Sequence, residues 1–182
     1  MKLIVISSPA PVPNEHTIIN SLFEEGLEVF HIHKPDLTKE EIKVFIQKIP
    51  VKHHNRIALH SDFQKFHSLE ELGTYSPPEG GSRRGSSYAF LSPIFDSISK
   101  AGHKSKFSER MNRFIKMKPE LMSSVRGKNI MALGGIDEDK IALVRKIGFS
   151  GVAVLGAIWN SKYPVEKFKR IKAKCDKQDL AH

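Results

Sequence analysis

The chain has 182 residues, 40% of them apolar, and a formal charge of +9 from 29 Lys and Arg against 20 Asp and Glu. That length builds one domain with a real core. The single cysteine excludes an intrachain disulfide, and no stretch approaches the roughly 18 apolar residues that span a bilayer. The basic residues are spread along the chain, with no zinc-finger spacing, RNA-binding aromatic motif or recognition helix. The charge therefore reads as a generic basic surface. Nucleic acid and membrane are not expected as partners, and a strong salt dependence of nucleic-acid binding would reverse that reading. A cytoplasmic location is the default.

In chain order, Leu3 to Ile6 is a β-branched strand, and MKLIVISSPAPVPNE reads as that strand and its loop rather than as a leader. Asn14 is placed to cap a helix carrying Ile18, Ile19, Leu22 and Phe23 and ending at Gly26. Leu27 to Ile32 is the second strand; it runs into His31, His33 and Lys34, and Pro35 breaks it. His31 and His33 share a face opposite Ile32, and the sequence does not say whether that face is lumen or helix-facing. Thr38 and Glu41 form a capping box before the stripe Ile42, Phe45, Ile46 and Ile49, which Pro50 stops. Ile57 to His60 is a third strand. Strand and helix alternate twice before it, which predicts a parallel sheet with right-handed crossovers.

Residues 62–72 then read as one short helix burying Phe66, Leu69 and Leu72, with Ser68 a weak cap three residues before Glu71. Residues 73–87, GTYSPPEGGSRRGSS, form an irregular Gly/Pro/Ser-rich loop. Arg83 and Arg84 in it read as solvated. Tyr88 to Leu91 resumes the core, and SPIFDSISKAG follows, with Ser92, Ser97, Ser99 and Lys100 supplying hydroxyls and a positive charge suited to a phosphate. Ser108 caps a helix over 109–118, and Pro119 begins another toward Val125.

Residues 129–159 are the most informative stretch. Ile130 to Leu133 is a strand buried on both faces, followed at once by Gly134 and Gly135. Asp137 caps a helix with Ile141, Val144 and Ile147 or Phe149, stopped by Gly148. Val152 to Leu155 is the next strand, followed by Gly156. Bare backbone at the carboxyl ends of two successive strands suits an anion, as in the phosphate site of a (β/α) barrel. The plainer reading is three tight turns. Pro164 starts a last helix on Val165, Phe168 and Ile171, and the chain after Lys174, including Cys175, reads as a frayed lysine-rich tail. Six strands result, around residues 4, 30, 58, 90, 131 and 154. A closed eight-stranded barrel needs two more, and 60–88 is too short for two βα units.

FLSPIFDSISKAG at 90–102, ALGGI at 132–136 and GVAVLGAIW at 151–159 resemble, in that order, the thiamine phosphate synthase/TenI superfamily. HIHK at 31–34 resembles its glutamine-leucine-arginine-acid-lysine run, with His33 where arginine is common. FHSLEEL at 66–72 resembles its serine-valine-histidine-serine stretch. The resemblance implies a single α/β domain over 1–182, a (β/α) TIM-type barrel, shortened or incomplete because the strand-four region is missing. It implies a TenI-like enzyme of thiamine biosynthesis that tautomerises a thiazole phosphate. His67 and His33 are then the catalytic acid–base candidates, with His60 a further histidine at a strand end. Lys34, Ser97, Ser99, Lys100, Gly134, Gly135 and Gly156 would bind the substrate and its phosphate.

The family's asparagine-aspartate-arginine run after strand three corresponds here to His60, Ser61 and Asp62, and its second aspartate has no counterpart. No metal ligand set and no cofactor is therefore expected. Mg2+ enters only if the chain is instead a thiamine-phosphate synthase coupling a pyrimidine diphosphate to the thiazole phosphate. A degenerate barrel that binds a phosphorylated ligand without turnover is the third reading. An edge left open by missing strands would suit a homodimer.

Overall fold

Among the described residues seven short strands pair in parallel: β1 (Lys2–Ile6), β2 (Val29–Ile32), β3 (Ile57–Leu59), β4 (Lys65–Phe66), β5 (Ala89–Leu91), β6 (Ile130–Leu133) and β7 (Gly151–Val154). The computed structural model describes residues 1–73, 75, 88–95 and 125–177. The strand order is β3-β2-β1-β7-β6-β5-β4, so β3 and β4 are the two edges although only five residues separate them. A flat sheet of seven strands would be about 29 Å wide at roughly 4.8 Å per spacing. The six Cα steps from Leu59 to Lys65 reach at most about 20–22 Å. The sheet must therefore curl, and the contacts agree. His31 on β2 and Tyr88 before β5 belong to strands separated by three others, yet His31 Nε2 and the Tyr88 hydroxyl are 2.6 Å apart.

Alternation along the strands sorts the side chains into two layers. Leu3, Val5, Phe30, Ile32, Leu91, Ile130, Ala132, Val152 and Val154 face the helices in the larger cluster. Ile4, Ile6, Tyr88, Phe90, Met131 and Ala153 face inward and fill the lumen with Val29, Phe63, Leu133 and Leu155. The expected α/β fold of shortened-barrel kind is what these strands build.

Six helices are described: α1 (Glu15–Glu24), α2 (Lys39–Gln47), α3 (Leu69–Gly73), α4 (Ile141–Ile147), α5 (Gly156–Trp159) and α6 (Pro164–Asp176). The Thr38–Glu41 capping box forms as expected, and Gly148 ends α4 at φ 106°. Asp137 accepts from the Glu138 N–H and opens a 3-10 turn ahead of α4. Lys167 on α6 bonds Asp137 at 2.6 Å and so ties the last helix to the turn after β6.

Four expectations are corrected. Asn14 sits in the left-handed region at φ 56° and makes no side-chain cap. The single helix over 62–72 is instead a 3-10 turn (His60–Asp62), the two-residue β4 and then α3. Ser68 does cap α3: its Oγ accepts from the Glu71 N–H at 3.1 Å. The chain after Lys174 is not frayed at once, because α6 continues through Cys175, which is buried, to Asp176. The loop over 76–87 and the helices expected over 109–118 and 119–124 lie outside the described residues. Among the described residues no helix is long and apolar enough to cross a membrane.

Candidate functional site

The strands all point their carboxyl ends to one mouth of the curled sheet, and a cavity of about 220 Å³ opens there. Gly134, Gly135 and Gly156 line it together with His33, His60 and Ser92. All three of the glycines and two of the three histidines expected at a site, His33 and His60, thus share one cavity. His33 continues the inward parity of His31, which settles the face left open by the sequence: it is the lumen.

Gly134 has a specific reason to be glycine. Its φ is +95°, and a Cβ there would come within 2.8 Å of Pro93 Cα. The loop after β5 lies directly on it: Ile94 N–H donates to Leu133 O at 2.9 Å and Phe95 N–H to Gly134 O at 3.1 Å. The Gly134–Gly135 loop and the Ser-Pro-Ile-Phe segment are therefore one packed unit. Gly135 follows at φ +63°, and Gly156 begins the short helix α5.

The remaining candidates are placed differently. His67 is exposed and does not line the cavity. Its Nδ1 is 2.9 Å from the carbonyl of Ser92, which does line it, so the ring sits beside the rim. That contact makes Nδ1 the protonated nitrogen and leaves Nε2 as the basic one. Lys34 lines a separate cavity of about 490 Å³ between the first turn of α1 and the loop after β2. There it forms a buried ion pair with Glu15, Nζ to Oε2 2.6 Å, and donates to Ala10 O at 3.2 Å. Ser97, Ser99 and Lys100 lie outside the described residues.

The sequence reading gave no role to His31 and only a subsidiary one to His60. His31 is wholly buried and His60 nearly so. Burial pushes both imidazoles down to about 3; the Lys2 and Lys65 ammoniums act in the same direction on His31, and Lys65 with the neighbouring His31 and His33 on His60. Both rings are therefore neutral at physiological pH. The strand parity of His31 was the available signal; what was missing was the hand of the sheet's curl.

Magnesium needs hard oxygen ligands, normally carboxylates beside substrate phosphates. The described lining of the cavity carries no carboxylate, and no group of three metal-ligating side chains occurs among the described residues. Ser61 and Asp62 are exposed, and Ser61 Oγ donates to its neighbour's carboxylate at 3.4 Å. Among the described residues, nothing at the cavity supplies that kind of ligand.

No protein-family model matches the sequence, and no curated protein matches it significantly. Solved structures do match. Thiamine phosphate pyrophosphorylase from Bacteroides thetaiotaomicron superimposes with a TM-score of 0.68 at 27% identity, over 97% of this chain and 98% of that one. The chain has a TIM-type fold. Thiamine phosphate pyrophosphorylase from Pyrococcus furiosus gives a TM-score of 0.61 at 14% identity over 95% and 94% of the two chains. Geranylgeranylglyceryl phosphate synthase from Thermoplasma acidophilum, solved with sn-glycerol-1-phosphate, gives 0.53 at 13% identity over 95% and 92%. The last two likenesses concern the fold alone. The first supports a place among the barrels of thiamine biosynthesis.

Proposed function

We propose that this chain acts on a thiazole phosphate in thiamine biosynthesis as a TenI-like tautomerase. The observation that carries the reading is the cavity that joins Gly134, Gly135 and Gly156 to the imidazoles of His33 and His60 without a carboxylate among its described lining. Glycine backbone at strand ends suits the phosphate. Tautomerisation needs one group that removes a proton from one ring position and returns it to another, with no net gain or loss. His67 suits that role: its Nδ1 is anchored on the Ser92 carbonyl, and Nε2 remains to accept and return the proton. His33 at the lining is the second candidate. His60 is held neutral too far from its ordinary range to titrate in the cycle.

The synthase reading is favoured by one observation, the 27% identity with a thiamine phosphate pyrophosphorylase over nearly the whole chain. It requires electrostatic help for a departing diphosphate, which the described lining does not offer. A two-arm assay on the full chain separates the readings. One arm offers the thiazole carboxylate phosphate tautomer; the other adds the pyrimidine diphosphate and magnesium. Tautomer conversion without coupling is expected. His67→Asn is expected to lower turnover at least about a hundredfold while phosphate binding stays within about twofold. Undiminished turnover would remove His67 from the mechanism. Thiamine phosphate formation would establish the synthase instead, and ligand binding without turnover in either arm would leave a binding protein.

A further inference from the structure

A hydrogen-bonded chain runs through the lumen into the cavity. The Tyr88 hydroxyl lies 2.6 Å from His31 Nε2, and His31 Nδ1 lies 3.3 Å from His60 Nδ1. His60 lines the cavity with the three glycines, and its ring meets that of His33 edge-on at 5.5 Å. The walls of the chain are aromatic: Phe63 lies against His31 at 4.3 Å and Phe90 against His60 at 5.0 Å. Two neutral imidazoles and one phenol can share their protons in only two ways here.

In the first, Tyr88 donates to His31 Nε2, His31 Nδ1–H donates to His60 Nδ1, and His60 carries its proton on Nε2. In the second every direction reverses: His60 Nδ1–H donates to His31, His31 Nε2–H donates to the Tyr88 oxygen, and the phenolic proton has no acceptor. Tyr88 is 4% exposed and its hydroxyl has no second hydrogen-bond partner among the described residues. A buried donor left unpaired costs about 1–3 kcal/mol, roughly a five- to 150-fold bias. The first arrangement prevails.

We propose that Tyr88 and His31 are positioning residues that fix His60 as a hydrogen-bond donor, Nε2–H toward the cavity, for an oxyanion of the bound ligand. This deepens the reading above, in which that oxyanion is the thiazole's phosphate. A neutral N–H offers an anion a donor with no lone pair turned against it. It also asks for no proton uptake when the ligand arrives. The depressed basicity of both rings is consistent with this, since neither is converted to imidazolium near neutrality.

The test is nitrogen NMR of the histidine tautomers in the full chain, with inorganic phosphate as the probe. His60 is expected as the Nε2–H tautomer, and phosphate is expected to shift its Nε2 signal. Tyr88→Phe removes only the hydroxyl; it is expected to turn His31 and His60 into a mixture of tautomers and to weaken phosphate binding about fivefold. His60 found with its proton on Nδ1 would overturn the proposal, as would a Tyr88→Phe protein with unchanged tautomers and affinity. So would a His60 Nε2 signal that saturating phosphate leaves in place. None of these readouts depends on turnover. An inactive protein with the Nε2–H tautomer and the phosphate shift refutes the tautomerase reading alone, and an active one with the Nδ1–H tautomer refutes the chain alone.

Discussion

Replacing Lys34 with methionine should destabilise the protein in a strongly pH-dependent way. Lys34 Nζ and Glu15 Oε2 are 2.6 Å apart, and each side chain is only 5% exposed. The ammonium also lies 5.2 Å from the centre of the Phe45 ring. Methionine keeps most of the stem packing and removes the charge. The Glu15 carboxylate is then buried without its cation, which for such pairs costs about 3–5 kcal/mol, a large share of a typical 5–15 kcal/mol. The sign with pH follows from Glu15. Burial already holds its carboxyl above the usual value, and the hydrogen bond and charge of Lys34 oppose that rise. Without Lys34 the folded value climbs further. A carboxyl whose folded value exceeds its unfolded one adds stability in acid and loses it as pH rises through the folded value. The loss in Lys34→Met should therefore be about 3–5 kcal/mol at neutral pH and about 1 kcal/mol or less near pH 4.5, where Glu15 holds its proton. Urea unfolding at both pH values reads this out through Trp159, whose indole N–H donates to Ile6 O at 2.6 Å and whose environment is lost on unfolding. The double variant Glu15→Leu/Lys34→Met should recover most of the neutral-pH loss. An equal loss at both pH values, or a neutral-pH loss under about 1 kcal/mol, would refute the reasoning.

Two further outcomes follow from geometry. Gly134→Ala places a methyl group at a positive φ and against Pro93, and should cost about 2–4 kcal/mol in urea unfolding while weakening phosphate binding; a variant as stable as the parent would show that the loop after β5 yields freely. Cys175 is buried and its thiol is pushed up to about 11 by burial, so thiol reagents at about pH 8 should label it only as fast as the protein opens; labelling at the rate of a free thiol would place α6 off the sheet.

Much of this fold was legible because each strand alternates or runs apolar and each crossover helix has a stripe. Thr38, Gly148 and Pro164 mark their helix ends where local rules put them. β4 was not legible. Two residues carry no period, and Phe66, Leu69 and Leu72 follow in the three-residue steps of a helix although the first lies in a strand and the other two in α3. At the site, the glycines could be read because a backbone requirement shows in the sequence. The histidines could only be paired by alternation, and which face became the lumen depended on the curl of the whole sheet. Lys34 follows the same logic from the other side. It has the parity of Ile32, which packs toward the helices, and it ends beside the first turn of α1 rather than at the cavity.

The central pair of the sheet joins the two ends of the chain: Lys2 registers with Gly151 and Val5 with Val154. On the ribosome, β1 emerges well before β7, a neighbour made about 150 residues later; at 5–20 residues per second that is roughly 8–30 s. During that interval one edge of β1 is unpaired, and the apolar side chains that β7 will cover face water. An unpaired strand edge is a template for pairing with another chain, and here its own partner lies far along the sequence. A pairing that spans about 150 residues carries a high loop-closure cost, so β1–β7 closure is expected to be a slow step of folding.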